Sequence, residues 1–168
     1  MSPLTRPDSN DDPVTGDVLV ERADFEDPAL RTFLQAHLDD LAPTAPAESR
    51  HALDLEALRR PGVRLWTAHI GGALVGTAAL AALDGAHEEL KSMRTEPARR
   101  GSGIATALLR HVLSDAHRRG VERISLETGS AAFFAPARAL YAKHGFSPCE
   151  PFGSYRPDPH STFMTRLV

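Results

Sequence analysis

Cysteine is almost missing from this sequence: Cys149 stands alone, which excludes an internal disulfide and fits a reducing, cytoplasmic setting. Nor is there a run of about 18 apolar residues, so no membrane-crossing helix is expected. Positive charge is not in excess. With 19 Lys and Arg against 22 Asp and Glu the formal net charge is −3, whereas a chain that coats a polyanionic backbone carries the opposite balance. Nucleic acid is therefore not an expected partner. The eight histidines form no H-E-x-x-H pair and join no cysteine cluster. His87-Glu88-Glu89 lacks the second histidine, and no metal site is expected. The segment 1–17, rich in Pro, Asp, Ser and Asn without an apolar stretch, reads as a disordered tail rather than a signal or transit peptide.

What remains is an ordinary globular composition, 42% hydrophobic and 24% charged over 168 residues, which suits one domain over 18–168 with one active site. A short β-branched run at 18–20 precedes a helix over Pro28–Leu41, where Leu30, Phe33, Leu34, His37, Leu38 and Leu41 recur at helical spacing. Two prolines make 42–49 a loop, and a shorter helical pattern over 53–58 ends at Pro61-Gly62. Three antiparallel strands come next over 64–70, 73–83 and 86–95, joined at Gly71-Gly72 and Asp84-Gly85, dipeptides that tolerate positive φ. Gly76 and the alanines of 78–82 weaken the middle strand, since neither residue type favours strands. Ile104, Ala105, Leu108, Leu109, Val112 and Ala116 form one face of a long helix stopped by Gly120. A strand over 121–128, a helix opened by Pro136 and ending before Gly145, and a last strand over 162–167 complete the pattern. No segment repeats.

Arg99-Arg100-Gly101-Ser102-Gly103-Ile104-Ala105 sits where a strand ends and the long helix begins. Glycines there let backbone amides approach a ligand, and the unpaired N–H groups of a helix start attract anions. Two arginines and Ser102 add charge and a hydroxyl, so a phosphate site is physically sensible. The Gly-Lys-Ser/Thr ending of a nucleotide-triphosphate loop and the strand–turn fingerprint of a dinucleotide fold are both missing.

Here the chain resembles the GNAT acetyltransferases. Their motif, Arg or Gln, two residues, Gly, one residue, Gly or Ala, is matched by 100–105, and a Leu-Tyr pair followed by Gly-Phe recurs as Leu140-Tyr141 with Gly145-Phe146. The two motifs stand at the family's separation, and the resemblance spans 18–168. It implies an α/β (α+β) fold: a mixed, mostly antiparallel V-shaped sheet flanked by helices, holding acetyl-coenzyme A between two splayed strands. It also implies phosphate binding by backbone amides of Arg100, Gly101, Ser102, Gly103, Ile104 and Ala105, with Arg99 adding charge. The strand before the turn would be bulged and present backbone groups of Met93 and Thr95 to the acetyl-pantetheine arm. One departure stands out: many relatives carry Asn seven residues before the motif tyrosine, where this chain has Phe134.

A primary amine, with an ordinary pKa near 10.4, needs a proton acceptor before it attacks a thioester, and Glu89, four residues before Met93, is the expected base. An ordinary ion pair with Lys91 is its bland alternative, and Glu88 is adjacent. The departing thiolate gains from a donor, and Tyr141 occupies the family's acid position. The expected chemistry is direct attack in a ternary complex, with Cys149 passive. Thr128 or Ser130 is a further polar candidate near the acceptor. Lys91, Arg94, Arg138, Arg156 and His160 would give the acceptor mouth positive character for a small, carboxylate-bearing amine. A protein or peptide N-acetyltransferase, a non-catalytic acyl-CoA-binding domain and a purely structural module are the competing readings; a homodimer fits the family's habit.

Overall fold

Glycines at positive φ close the two hairpins that begin the sheet. Gly71 and Gly72, at φ +56° and +81°, join β2 (Val63–Ile70) to β3 (Ala73–Ala82), and Gly85, at φ +53°, lies between β3 and β4 (His87–Thr95). This computed structural model describes residues 17–168, so the expected tail, apart from Asp17, lies outside the described residues. With β1 (Leu19–Arg22), β5 (Arg123–Gly129), β6 (Ser147–Pro148) and β7 (Ser161–Leu167), the sheet has seven strands in the order β1-β2-β3-β4-β5-β7-β6. Every neighbouring pair is antiparallel except β4 and β5. This is the mixed α/β sheet that the motifs imply.

Helices cover both faces of the sheet. On one lies α3 (Ile104–Arg118), whose Ile104, Leu108, Leu109, Val112 and Ala116 pack with Trp66, Ala68, Val75, Ala78 and Leu80. On the other lie α1 (Pro28–Leu41) and α2 (Leu55–Leu58), whose Leu30, Leu34, Leu55 and Leu58 meet Leu65 and Ala79. The alanines that argue against a strand thus form its centre: small side chains buried on both faces let helices approach closely, and packing overrides propensity. Gly76 is the extreme case, because a Cβ there would stand 2.8 Å from Leu108 Cδ1 and 2.9 Å from Ile104 Cγ2. Each fully buried leucine or isoleucine of α3 contributes about 1.5–3 kcal/mol through the water it sheds. Asp27 caps α1 by accepting from the Ala29 amide at 3.0 Å, and Asp54 caps α2 by accepting from Ala57 at 2.9 Å. No helix among the described residues is long and apolar enough to cross a membrane.

Two irregularities open the sheet. Opposite β3 the register slips between Thr77 and Ala79, with Ser92 at φ +54° and its carbonyl accepting from Thr77 Oγ1 at 2.8 Å. This is a bulge, which bends the strand and re-aims the residues beyond it. On the other side, β4 pairs with β5 only from His87↔Arg123 to Leu90↔Leu126. Beyond those pairs the strands part, and the cleft between them receives α4 (Ala135–Lys143) and the end of α1 along its walls.

Candidate active site

The cleft holds two adjoining cavities. The larger, about 400 Å³, is lined by Met93, Arg94, Thr95, Arg99, Arg100, Gly101, Gly103, Ile104 and Ala105 on one side and by Phe133, Phe134, Pro136, Ala137, Leu140 and Tyr141 on the other. The sequence-predicted cofactor residues converge here with one exception: Ser102 is not in the lining, and its hydroxyl donates to the Arg99 carbonyl. Gly101 and Gly103 adopt φ +81° and +82°, and Gly103 begins α3 without a side-chain cap. The first N–H groups of α3 therefore receive no cap from the Gly103 side, which suits an anion, with two arginines beside them. An extended ligand with a phosphate-bearing end fits this donor set.

The smaller cavity, about 140 Å³, lies past the bulge between β4 and β5 and carries Glu89, Lys91, Ser92, Glu127 and Thr128, with His51 and His160 at its rim. Glu89 is 6% exposed. Its Oε2 accepts from Tyr155 Oη at 2.5 Å and from Lys91 Nζ at 3.1 Å; Lys91 also donates to Tyr155 Oη and to the His51 carbonyl, both at 3.1 Å. Burial, then the Glu89 carboxylate, pushes the Tyr155 phenol far above its ordinary range, so it stays a donor. Glu88 points elsewhere: Arg119 grips both its oxygens at 2.7 and 2.9 Å. The strand alternation thus separates the two adjacent carboxylates, one to a cavity and one to a salt bridge.

His37, Leu41, Met93, Phe134, Ala137 and Tyr141 line both cavities. Tyr141 is buried, and burial raises its phenol well above the usual range, so its proton is retained at neutral pH. Burial, helped by the charge of Arg94, pushes the His37 imidazole down to about 4 and keeps it neutral. Phe134 rests its ring on the Cα of Gly129, where a Cβ would come within 2.1 Å of ring carbons, and meets Phe133 edge-on at 4.9 Å.

The five cations expected at the acceptor mouth do not converge. Lys91 and His160 line the smaller cavity, but Lys91 is committed to Glu89. Arg94 pairs with Asp40 at 2.7 Å in the wall of the larger cavity, and its hydrogen bond holds the Asp40 carboxyl below the ordinary range. Arg138 donates to the carbonyls of Gly129 and Ala131, and Arg156 lines neither cavity. Thr128 faces the smaller cavity while Ser130 donates to the Pro159 carbonyl at 2.6 Å. Cys149 lines neither cavity, and burial raises its thiol.

Sequence reasoning missed Glu127, Arg50 and Tyr155. Glu127 follows Leu126 on the parting strand and lines the smaller cavity; burial pushes its carboxyl up, while His51 and Lys91 pull it the other way. No signal in the sequence marks it, because its place depends on where the pairing of β4 and β5 ends. Ser92 was missed too: its hydroxyl is buried at the bulge without a hydrogen-bond partner among the described residues.

The geometry agrees with what this chain is similar to. The model of the Acetyltransferase (GNAT) family matches residues 28–146. The uncharacterized N-acetyltransferase YsnE of Bacillus subtilis (strain 168) is 47% identical over 137 residues, covering 82% of this chain and 91% of the relative. An IAA acetyltransferase of Azospirillum brasilense is 40% identical over 134 residues, covering 79% and 84%. Among solved structures, a GNAT-family acetyltransferase of Staphylococcus aureus Mu50 superposes with a TM-score of 0.70 at 21% identity, covering 90% of this chain and 99% of the other. A sheet that parts beside a glycine turn, matched by the family's model over most of its length, marks an acetyltransferase: the chain belongs to the GNAT family.

Proposed function

We propose that this enzyme transfers the acetyl group of acetyl-CoA to the primary amine of a small molecule, by direct attack while both substrates are bound. The observation that carries this reading is the meeting of a phosphate-ready cavity and a carboxylate-bearing one at a wall that includes Tyr141. The coenzyme brings an activated thioester. The amides at the start of α3, with Arg99 and Arg100, hold its pyrophosphate, and the bulged strand at Met93 and Thr95 lines the path of its arm.

Glu89 accepts the amine proton, directly or through one water. Its Oε2 is occupied by Tyr155 and Lys91, which leaves Oε1 for the acceptor. Tyr141, kept protonated by burial, donates to the departing sulfur. The acceptor cavity supports a small substrate: at about 140 Å³ it is close to the roughly 150 Å³ that encloses a benzene-sized group. Arg50 and His160 at its rim are placed to receive an acceptor carboxylate.

The test is thiol release from acetyl-CoA over a panel of amino acids, polyamines, aminoglycosides and peptides, with Tyr141→Phe alongside. Turnover on small amines, with kcat lowered about 100-fold or more in the variant and acetyl-CoA affinity retained, is the expected result. Turnover on peptides alone would move the reading to a protein N-acetyltransferase. Tight acetyl-CoA binding without turnover on any amine would make this a regulatory domain.

A further inference from the structure

We propose that Phe134 sets the length of the acyl group transferred, by filling the space beside the thioester carbonyl that a chain longer than acetyl would need. The inference rests on the reading of the two cavities as cofactor and acceptor sites. Transfer requires one carbon to be reached both by the arm that carries it and by the amine that attacks it. That carbon must lie where the cavities share a wall, at His37, Leu41, Met93, Phe134, Ala137 and Tyr141. Four of these six offer only hydrocarbon or thioether surface, which suits an alkyl group rather than a charged one.

Among the four apolar residues Phe134 is the bulkiest, and its ring is braced. On one side the ring lies against the bare Cα of Gly129, so closely that a Cβ there would stand 2.1 Å from Cδ2 and Cε2. Phe133 meets it edge-on at 4.9 Å. Arg138, donating to the Gly129 carbonyl at 2.7 Å, ties α4 to the end of β5 on which the ring rests. Phe134 is half-buried and Phe133 is half-exposed, so what holds the ring is its seat on Gly129 and the helix that carries it, and swinging aside for extra methylenes would give up that contact.

The test compares acetyl-, propionyl- and butyryl-CoA with one acceptor, reading kcat/KM by thiol release and affinity by calorimetry. In wild type, each added methylene lowers kcat/KM by about tenfold or more, and butyryl-CoA binds more weakly than acetyl-CoA. Phe134→Ala brings propionyl-CoA to within about threefold of acetyl-CoA and restores butyryl-CoA affinity; Phe134→Leu, a milder change, moves in the same direction. Equal use of acetyl- and propionyl-CoA by wild type overturns the inference, as does an unchanged preference in both Phe134 variants. If neither free CoA nor any acyl-CoA binds in the calorimeter, the cofactor reading fails first and takes this inference with it.

Discussion

Glu89 illustrates how a single side chain acquires its surroundings from residues far along the chain. Its partner Lys91 is two positions away and visible in the sequence, but Tyr155 is 66 positions away, within a stretch that reads only as a Pro- and Gly-bearing connection. No local pattern encodes that contact, and the same holds for Glu127, whose place in the cavity depends on where two strands stop pairing. The place of Tyr141 in the cleft, by contrast, is legible because a Leu-Tyr spacing carries it. His37 is half legible: helical spacing puts it on the inward face of α1, while its place between two cavities emerges only from the fold. That place couples stability to pH. The His37 imidazole is lowered from 6.5 to about 4 in the folded state, so between those values the unfolded chain binds the extra proton. Stability from this residue is fully present above about pH 6.5 and is lost as pH falls toward 4, by up to about 3 kcal/mol. Urea midpoints measured from pH 7.5 to 4.5 should therefore fall more steeply for wild type than for His37→Gln. Parallel curves would show that the ring is solvated and that its environment imposes no such penalty.

At the scale of elements, hydrophobic period and turn chemistry place the strands and helices close to their observed bounds, because hairpin glycines and helix stops act locally. The middle strand is the instructive exception. Its glycine and alanines speak against a strand in isolation, yet β3 is the longest strand among the described residues and is buried on both faces. Gly76 is required by the approach of α3 rather than by backbone conformation, since its φ is not positive and its neighbours are Leu108, Ile104 and the Arg94 carbonyl. Gly76→Ala should lower the unfolding free energy by about 1–3 kcal/mol through overpacking, partly offset by the reduced entropy of the unfolded chain. Chemical denaturation measures this directly. A neutral or stabilising result would mean that α3 can lift from β3 without cost, and the seat of its N-terminus over the larger cavity would be less fixed than the contacts imply. The bulge at Ser92 had no signature in the sequence itself; only the resemblance anticipated a break in this strand, and the residue that takes the left-handed conformation is a serine rather than a glycine.

For the whole molecule, the decisive fact is that one cleft carries both cavities and that they touch. Two substrates bound at once need no covalent carrier on the protein, and Cys149, the sole cysteine, does not offer one: it lines neither cavity and burial raises its thiol. Double-reciprocal plots at several fixed acetyl-CoA concentrations should therefore intersect, and Cys149→Ser should retain wild-type kcat. Parallel lines would signal an acyl-enzyme that forms before the amine arrives, which demands a nucleophile at the shared wall. Tyr141 would then be the group to examine, since it is the one shared-wall residue with a hydroxyl. Its raised phenol pKa keeps it protonated, so at neutral pH it is a poor nucleophile and holds a proton to share with the departing sulfur, and intersecting lines with activity lost in Tyr141→Phe would assign it the second role.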